Sequence, residues 1–434
     1  MRFHARTALR RSLFAAAVVL ACMPVRSAPD TGAVAWLPTV DIATGGGSKG
    51  PWRQNDSRYD YVDDGTLAFM QDGRLAVAWA DQRRKEVLLQ VLGPDGRARG
   101  AALDVSRSPA TFSWMPRIAA GSADTLYVLW QEIIFSGGSH GGDILFARSA
   151  DGGRSFAPPL NLSDSRGGDG KGRLDADTWS NGSLDLAASL DGKVYAAWTE
   201  YDGALWLARS RDGGRSFGAP QRIAGDEARP ARGPSLALGK DGRVYLAWTV
   251  GEDPDADIRV SQSVDGGAGF ATPVLVGARN ARADAPRLAL DRHGHLHLVY
   301  MEQQGKQPLL IRHARSDDVR LAFGTPRTLS APDETAMAPQ LAADAQGRMH
   351  LAWEAALNGR GLRGLRYTRY IDDGFLAPVT VPHGTPKNGA RSGSQQGLLG
   401  KKLAAGEGMV ALVNSSLAPG RGSRVWVMRG RLPE

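Results

Sequence analysis

The chain holds a single cysteine, Cys22, so the rest of it can carry neither a disulfide nor a thiolate metal site. Long apolar runs are also scarce. The clearest one, residues 13–22, is too short to cross a bilayer. An excess of one charge is missing as well. Five of the 53 Lys and Arg residues fall in the first 29 residues, which contain no acid, leaving 48 basic against 45 acidic side chains in the remainder. That balance gives no reason to expect nucleic acid as a partner. What is abundant is glycine, 54 residues of it, in turn signals spaced evenly along the chain, and this favours β-structure.

Arg2, Arg6, Arg10 and Arg11, the apolar run behind them and the small residues that follow have the layout of a secretory signal. Cleavage after Ser27 puts small side chains, Val25 and Ser27, where a signal peptidase requires them. The expectation is a signal over residues 1–27 and one domain over 28–434, periplasmic or secreted. Val19-Leu20-Ala21-Cys22 is a loose lipobox, so a membrane becomes a partner only if Cys22 carries lipid.

Two short patterns alternate through the remainder. The first is an apolar stretch, a turn and an alternating strand that ends in an aromatic: residues 66–79, 117–130, 185–198, 235–248, 287–300 and 340–353, with a weaker copy from 402 to 413. Asp-Gly steps such as Asp241-Gly242 supply positive φ, and Val244, Leu246 and Trp248 alternate as on a strand, so each copy reads as a hairpin. The second pattern is a turn. Ser149-Ala150-Asp151-Gly152-Gly153-Arg154-Ser155-Phe156 recurs from Ser210 to Phe217 around Asp212 and from Ser263 to Phe270 around Asp265. The carboxylate accepts N–H groups of its own turn and the glycines allow positive φ. Degenerate copies lie at 316–323 and 371–375, and a plain turn at Gly93-Pro94-Asp95-Gly96 fills the slot in the first unit.

A repeat of about fifty residues built from two hairpins is the spacing of propeller blades. The fold expected is all-β: a seven-bladed β-propeller of four-stranded blades, with six blades as the runner-up. Residues 36–42 resemble the short strand that follows each Asp turn, yet no blade precedes them, and the last copy lacks its fourth strand. The N-terminal strand is therefore expected to complete the last blade, which removes an open edge.

The three Ser-x-Asp-Gly-Gly turns resemble the Asp-box, or BNR repeat, of the sialidase superfamily, over nearly all of the chain after the signal. The resemblance implies Asp151, Asp212 and Asp265 as structural residues on the face opposite any site. It also implies, for an active sialidase, arginines that grip a carboxylate, a Tyr nucleophile assisted by Glu, and an Asp acid/base. The arginine that opens the family's first full blade is missing from Val62-Asp63-Asp64-Gly65-Thr66-Leu67; Arg117, beside Pro116 and Ile118, stands one blade later. Residues 78–84 resemble the segment that supplies a substrate-contacting arginine, here Arg83 or Arg84; the aspartate the resemblance implies soon after it is absent, only Glu86 is nearby, and Asp81 stands as a further catalytic candidate.

Loops on the face away from the Asp turns bring Glu132, Glu200, Tyr201, Glu302 and Glu354 toward one funnel, with Arg58, Trp114, Asp175, Asp177, Trp179, Arg232, Arg282, Asp284 and Arg391 arriving from the other side. A crowded Glu suits acid catalysis and the mixed set suits a sugar, but rim carboxylates paired with arginines are the simpler reading. Glu200 and Tyr201 form the most sialidase-like pair, provided they lie in a loop, since neighbours on a strand face opposite ways. His140, in a glycine-rich loop, is a candidate base of the kind polysaccharide lyases use. His293, His295 and His297 share strand spacing, but hairpin residues account for them better than a metal does, and no cofactor is expected. The first functional reading is a scaffold that binds a glycan or an exported protein through its axial face. The alternative is a glycan-cleaving enzyme, a sialidase-like hydrolase ahead of a lyase.

Overall fold

In the computed structural model the described residues are 33–433, apart from 52, 54–55, 109, 133–141, 164–170, 174–178, 182, 253–254, 278–279, 318–319, 357–362, 386–390 and 393–399. Residues Val34–Glu434 cluster as one compact unit. The expected signal over residues 1–27, with Cys22, and His140, Asp175 and Asp177 lie outside the described residues.

Seven antiparallel sheets are strung along the chain, one per repeat, and they form a seven-bladed β-propeller. Blade 1 runs Val62–Phe69, Leu75–Asp81, Glu86–Leu92 and Leu103–Asp104 from inside to outside. The innermost strands of blades 2 to 7 are Ser113–Ala120, Leu184–Ala188, Ala231–Leu238, Arg282–Leu290, Thr335–Ala343 and Leu403–Gly406. Each touches the innermost strand of the next blade, and the last returns to the first. Closure is made as expected: Val40–Gly45 pairs with Gly422–Arg431, so a strand from the start of the chain becomes the outer strand of blade 7. Ala35–Trp36 extends that pairing.

Apolar side chains collect between blades rather than in one centre. Trp130 sits in the core between blades 1 and 2, Trp198 between 2 and 3, Trp248 between 3 and 4, and Trp353 between 5 and 6. These are the aromatics that end each second strand, and they are at most 2% exposed. A blade cannot bury both of its faces alone, so the ring supplies the partners that an isolated repeat lacks.

The Asp turns owe their shape to their own residues. Ser149 Oγ donates to Asp151 Oδ1 at 2.8 Å, while the N–H groups of Arg154 and Ser155 donate to the same oxygen at 3.0 and 2.9 Å. The turn of Asp212 repeats these bonds, and Ala268 and Gly269 donate to Asp265 in the same way. Despite some burial, these hydrogen bonds hold the Asp151 carboxyl down at about 2. Gly214 has φ +75°, and a Cβ there would stand 2.9 Å from the Phe146 ring, so both backbone and packing demand glycine.

A second repeated device was not visible as hairpin spacing. The inner strands of blades 1, 2, 4, 5 and 6 carry a bulge, with positive φ at Asp64, Met115, Gly233, Ala285 and Ala338, each followed by Pro or Gly. The residue that comes next is polar and buried in every case: Thr66, Arg117, Ser235, Arg287 and Gln340. Asp185 and Lys402 hold the matching positions of blades 3 and 7 and are buried too. Several of these side chains satisfy the inward edge of the following blade. Asp185 Oδ2 accepts from Leu236 N at 2.7 Å, Ser235 Oγ from Leu288 N at 3.0 Å, and Gln340 Oε1 from Lys402 N at 3.0 Å. Arg117 Nε donates to Leu184 O at 3.1 Å. The edge groups that a strand exposes toward the axis are thus paired from the side.

Candidate functional site

Opposite the Asp turns, one open basin of about 980 Å³ lies over blade 1, lined by Arg53, Asp56, Ser57, Arg58, Tyr59, Gln82, Arg83 and Lys85. Two segments build it. One is the hairpin of Ser48–Lys49 with Tyr59–Asp60, inserted between the closing strand and blade 1; the other is the loop joining Asp81 to Glu86. The hairpin tip is held by Arg53 N donating to Ser57 Oγ at 2.6 Å and Asp56 N to Arg53 O at 3.1 Å. In the loop, Asp81 Oδ1 accepts from the backbone N–H groups of Arg83 and Arg84, both at 3.1 Å. Asp81 therefore shapes the turn that presents Arg83.

Tyr59 lines the basin, and the packing behind it is aromatic. Tyr59, Tyr61 and Phe112 form a buried cluster, with ring centroids 5.6 Å apart for Tyr59 and Tyr61 and 5.4 Å for Tyr59 and Phe112. Trp114 packs on Phe112 and its Nε1 donates to Gln82 Oε1 at 2.5 Å, while the Lys85 ammonium stands 5.0 Å over the Phe112 ring. Burial, reinforced by Asp63 and Asp64, pushes the Tyr61 hydroxyl well above the usual phenol range, so it stays protonated. The rim is cationic. Arg53, Arg58 and Arg83 are exposed and make no ion pair among the described residues, and Asp56 is the single carboxylate of the lining. Such a surface suits an anionic ligand, because guanidinium forks match carboxylate and sulfate oxygens.

The remaining candidates are dispersed among pairs. Arg84 is bound to Glu86 at 2.7 Å. Glu132, 2% exposed, accepts from Thr111 and, at 3.3 Å, from Trp130 Nε1. Glu302 meets Arg312 at 3.2 Å and Glu354 meets Lys402 at 2.9 Å. Arg232, 1% exposed, is locked to Asp284 at 2.7 Å, with Arg282 3.7 Å from the same oxygen and Thr249 Oγ1 donating at 2.9 Å to the other. These residues do not converge as an open acidic funnel. Glu354 and Arg232 find their partners across a blade boundary, whereas Arg84, Glu132 and Glu302 find theirs within their own blades, so charges that would cost several kcal/mol if buried alone are held by partners. Trp179 and Arg391 lie on strands Trp179–Asn181 and Arg391–Ser392. His293 and His295 lie at the hairpin turn of blade 5, and His297 is fully buried on its second strand. Glu200 and Tyr201 open a hairpin turn in which Gly203 N donates to Glu200 O at 3.0 Å, so they do lie in a loop, but neither lines the basin.

Sequence reasoning named Arg58, Gln82, Arg83 and Trp114 but missed Arg53, Asp56, Ser57, Tyr59 and Lys85. The available signal was the basic and aromatic insert of residues 49–61, which belongs to neither repeated pattern.

No family model matches the chain, and no curated protein matches it in sequence. Among solved structures it is similar to an ulvan lyase of polysaccharide lyase family PL25, with TM-score 0.57 and 12% identity over 89% of this chain and 95% of that one. A PL25 ulvan lyase bound to -[GlcA(1-4)Rha3S]- gives TM-score 0.52 and 11% identity over 89% and 95%. The polysaccharide lyase Uly1 gives 0.55 and 10% over 89% and 92%. The likeness is one of fold. It supports the sialidase resemblance only in a coarser form, that of a propeller architecture shared with enzymes that act on glycans.

Proposed function

We propose that this chain is an exported propeller that binds an anionic glycan in the basin over blade 1. The observation that carries the reading is the lining itself: Arg53, Arg58, Arg83 and Lys85 against Asp56 alone, above buried aromatic rings. The chain as a whole is nearly balanced once the first 29 residues are set aside, so this concentration of cations is local. Support comes also from the fold relative bound to a uronate-containing, sulfated disaccharide unit. The signal-like first segment supports a periplasmic or secreted location, and the Ser-x-Asp-Gly-Gly turns support a place among BNR-repeat, sialidase-type propellers.

The test is binding of the mature chain to an array of uronate-bearing, sulfated and neutral oligosaccharides, alongside an Arg58→Ala/Arg83→Ala variant. Selective binding of the acidic glycans that falls at least tenfold in the variant and weakens with salt supports the reading. Equal binding of neutral glycans, or binding untouched by the variant, rejects it.

A second reading, cleavage of the glycan, rests on Glu200 and Tyr201 sharing one turn, which satisfies the loop condition for a carboxylate-assisted tyrosine. Turnover of a fluorogenic sialoside that disappears in Glu200→Ala/Tyr201→Phe supports it. Release of an unsaturated uronate, read by its ultraviolet absorbance, would mark a lyase instead.

A further inference from the structure

A second cavity, of about 560 Å³, opens between blades 5 and 6, beside the turns that follow their third strands, Leu310–Ser316 and Arg363–Ile371. It exists because the turn of blade 6 is short. The Asp turns of blades 2, 3 and 4 take eight residues from the serine to the phenylalanine, as in Ser149 to Phe156, whereas Tyr370 to Phe375 takes six. The longer turns press their second glycine onto the preceding blade. A Cβ on Gly153 would stand 3.0 Å from Leu89 and Val91, on Gly214 2.9 Å from Phe146, and on Gly267 2.9 Å from Arg209. A Cβ on Gly374 would meet no heavy atom within 4 Å among the described residues. The aromatic of the turn is retained, since Phe375 lies edge-on to His313 at 5.0 Å much as Phe217 lies edge-on to Phe146 at 4.8 Å. His313 occupies the place of Phe146, each pairing with the residue just before the aromatic that ends the second strand. A polar ring thus stands where the other interface is apolar and filled.

A chain of hydrogen bonds sets the polarity of that ring. Despite burial, the backbone and ring of His295 hold the Asp291 carboxyl below its usual value, so it is ionised and can only accept. His297 Nε2, 3.4 Å away, therefore carries a proton. Burial keeps His297 neutral, which leaves its Nδ1 bare to accept from His313 Nε2 at 3.0 Å. His313, neutral for the same reason, is left with a lone pair on Nδ1, an atom with no hydrogen-bond partner among the described residues in a side chain only 7% exposed that lines the cavity. An unpartnered acceptor calls for a ligand that donates. Asp317 and Asp373 at the wall also accept, Arg315 is tied to both and to Tyr370 Oη at 2.8 Å, and the exposed Arg327 supplies donors. An anionic ligand would set its charge against the lone pair and the two carboxylates, while the two guanidiniums oppose a metal cation. An alcohol both gives and takes hydrogen bonds. At about 3 the ring is too weak a base to move protons at neutral pH, which points to binding rather than catalysis. We propose that this cavity is a second ligand site, one that takes a single uncharged sugar unit with a hydroxyl donating to His313 Nδ1 and a carbon face against Tyr370 and Phe375. Its volume falls in the range of about 300–1,000 Å³ typical of small-ligand sites, and it shares no residue with the basin over blade 1.

The test uses the mature chain carrying Arg58→Ala/Arg83→Ala, which silences the basin. Saturation-transfer NMR with glucose, galactose, mannose and rhamnose, and with glucuronate as the acidic counterpart, should show at least one neutral sugar bound and glucuronate unbound. Adding Gly374→Leu, which grows a side chain into the free space from a residue whose φ is not positive, should weaken that binding at least tenfold. With isotope-labelled histidine, the Nδ1 resonance of His313 should move when the sugar is added. In the otherwise native chain, Gly374→Leu alone should leave binding of acidic glycans as it is in wild type, so failure of either site leaves the other standing. Absence of any neutral-sugar signal, a glucuronate signal that Gly374→Leu removes, or neutral-sugar binding that survives Gly374→Leu overturns the proposal. Should that variant not fold, the histidine spectrum decides, and an Nδ1 resonance unmoved by saturating sugar overturns it as well.

Discussion

Acidification tests the histidines buried in blade 5. His313, on the third strand, is 7% exposed, and its Nε2 lies 3.0 Å from His297 Nδ1, with the two rings stacked. Tyr370 and Phe375 of blade 6 close on it edge-on, and Arg315 and Arg327 repel a proton. Burial first, then these cations and His297, lower His313 from the ordinary 6.5 to about 3. The folded-state value is thus depressed, so the unfolded chain takes up the proton first as pH falls. Stability from the neutral ring is complete above the unfolded value and is lost between 6.5 and about 3. Integrating that difference from about pH 7 to about pH 4.5 gives a loss of about 2.5 kcal/mol from this one residue. His297 is lowered by burial as well, despite Asp291 beside it, and adds to the loss in the same direction. Urea unfolding at the two pH values, for wild type and for His313→Gln, which keeps a hydrogen-bond partner for His297 but cannot titrate, reads the effect. The variant should lose about 2 kcal/mol less than wild type on acidification. Parallel loss in both proteins refutes the reasoning.

Two further outcomes follow from the packing. Asp284→Asn leaves Arg232 buried without its counter-charge and should cost about 3–5 kcal/mol, whereas adding Arg232→Met should recover much of it; a single variant within about 1 kcal/mol of wild type contradicts the pairing. A chain that begins at Gly46 lacks the strand Val40–Gly45 and exposes the edge of Gly422–Arg431, so it should self-associate on size-exclusion chromatography and lose its cooperative melting; an unchanged monomer would show that closure contributes little.

The blade count and its closure were readable from the chain because hairpins are local. The Asp-Gly turns, the aromatic at the end of each second strand and the orphan strand phrase at residues 36–42 all carry their meaning within a few residues. The Asp turns were legible for the same reason, since Asp151 bonds to its own next few N–H groups. The bulges left a trace in the sequence, a Pro after Met115, Gly233, Ala285 and Ala338, but the trace did not say which side chains they would turn inward.

The sequence by itself determined a repeated β architecture and the side chains that repeat within it. It did not determine which charges remain available, because that depends on distances between blades. Glu132, Glu354, Arg232 and Arg282 look like open-face residues in sequence, yet Glu132 accepts from its own blade, Glu354 and Arg232 meet partners from the next blade, and Arg282 meets Asp284 of its own strand. Arg58 and Arg83 were candidates in the sequence, but Arg53 and Lys85 were not, and the four share one cationic basin only because the hairpin of Ser48–Lys49 with Tyr59–Asp60 comes beside the loop after Asp81. Local turns are set by short-range bonds, whereas the fate of a charge is set by which surfaces the closed ring brings together, and that is a property of the tertiary structure alone.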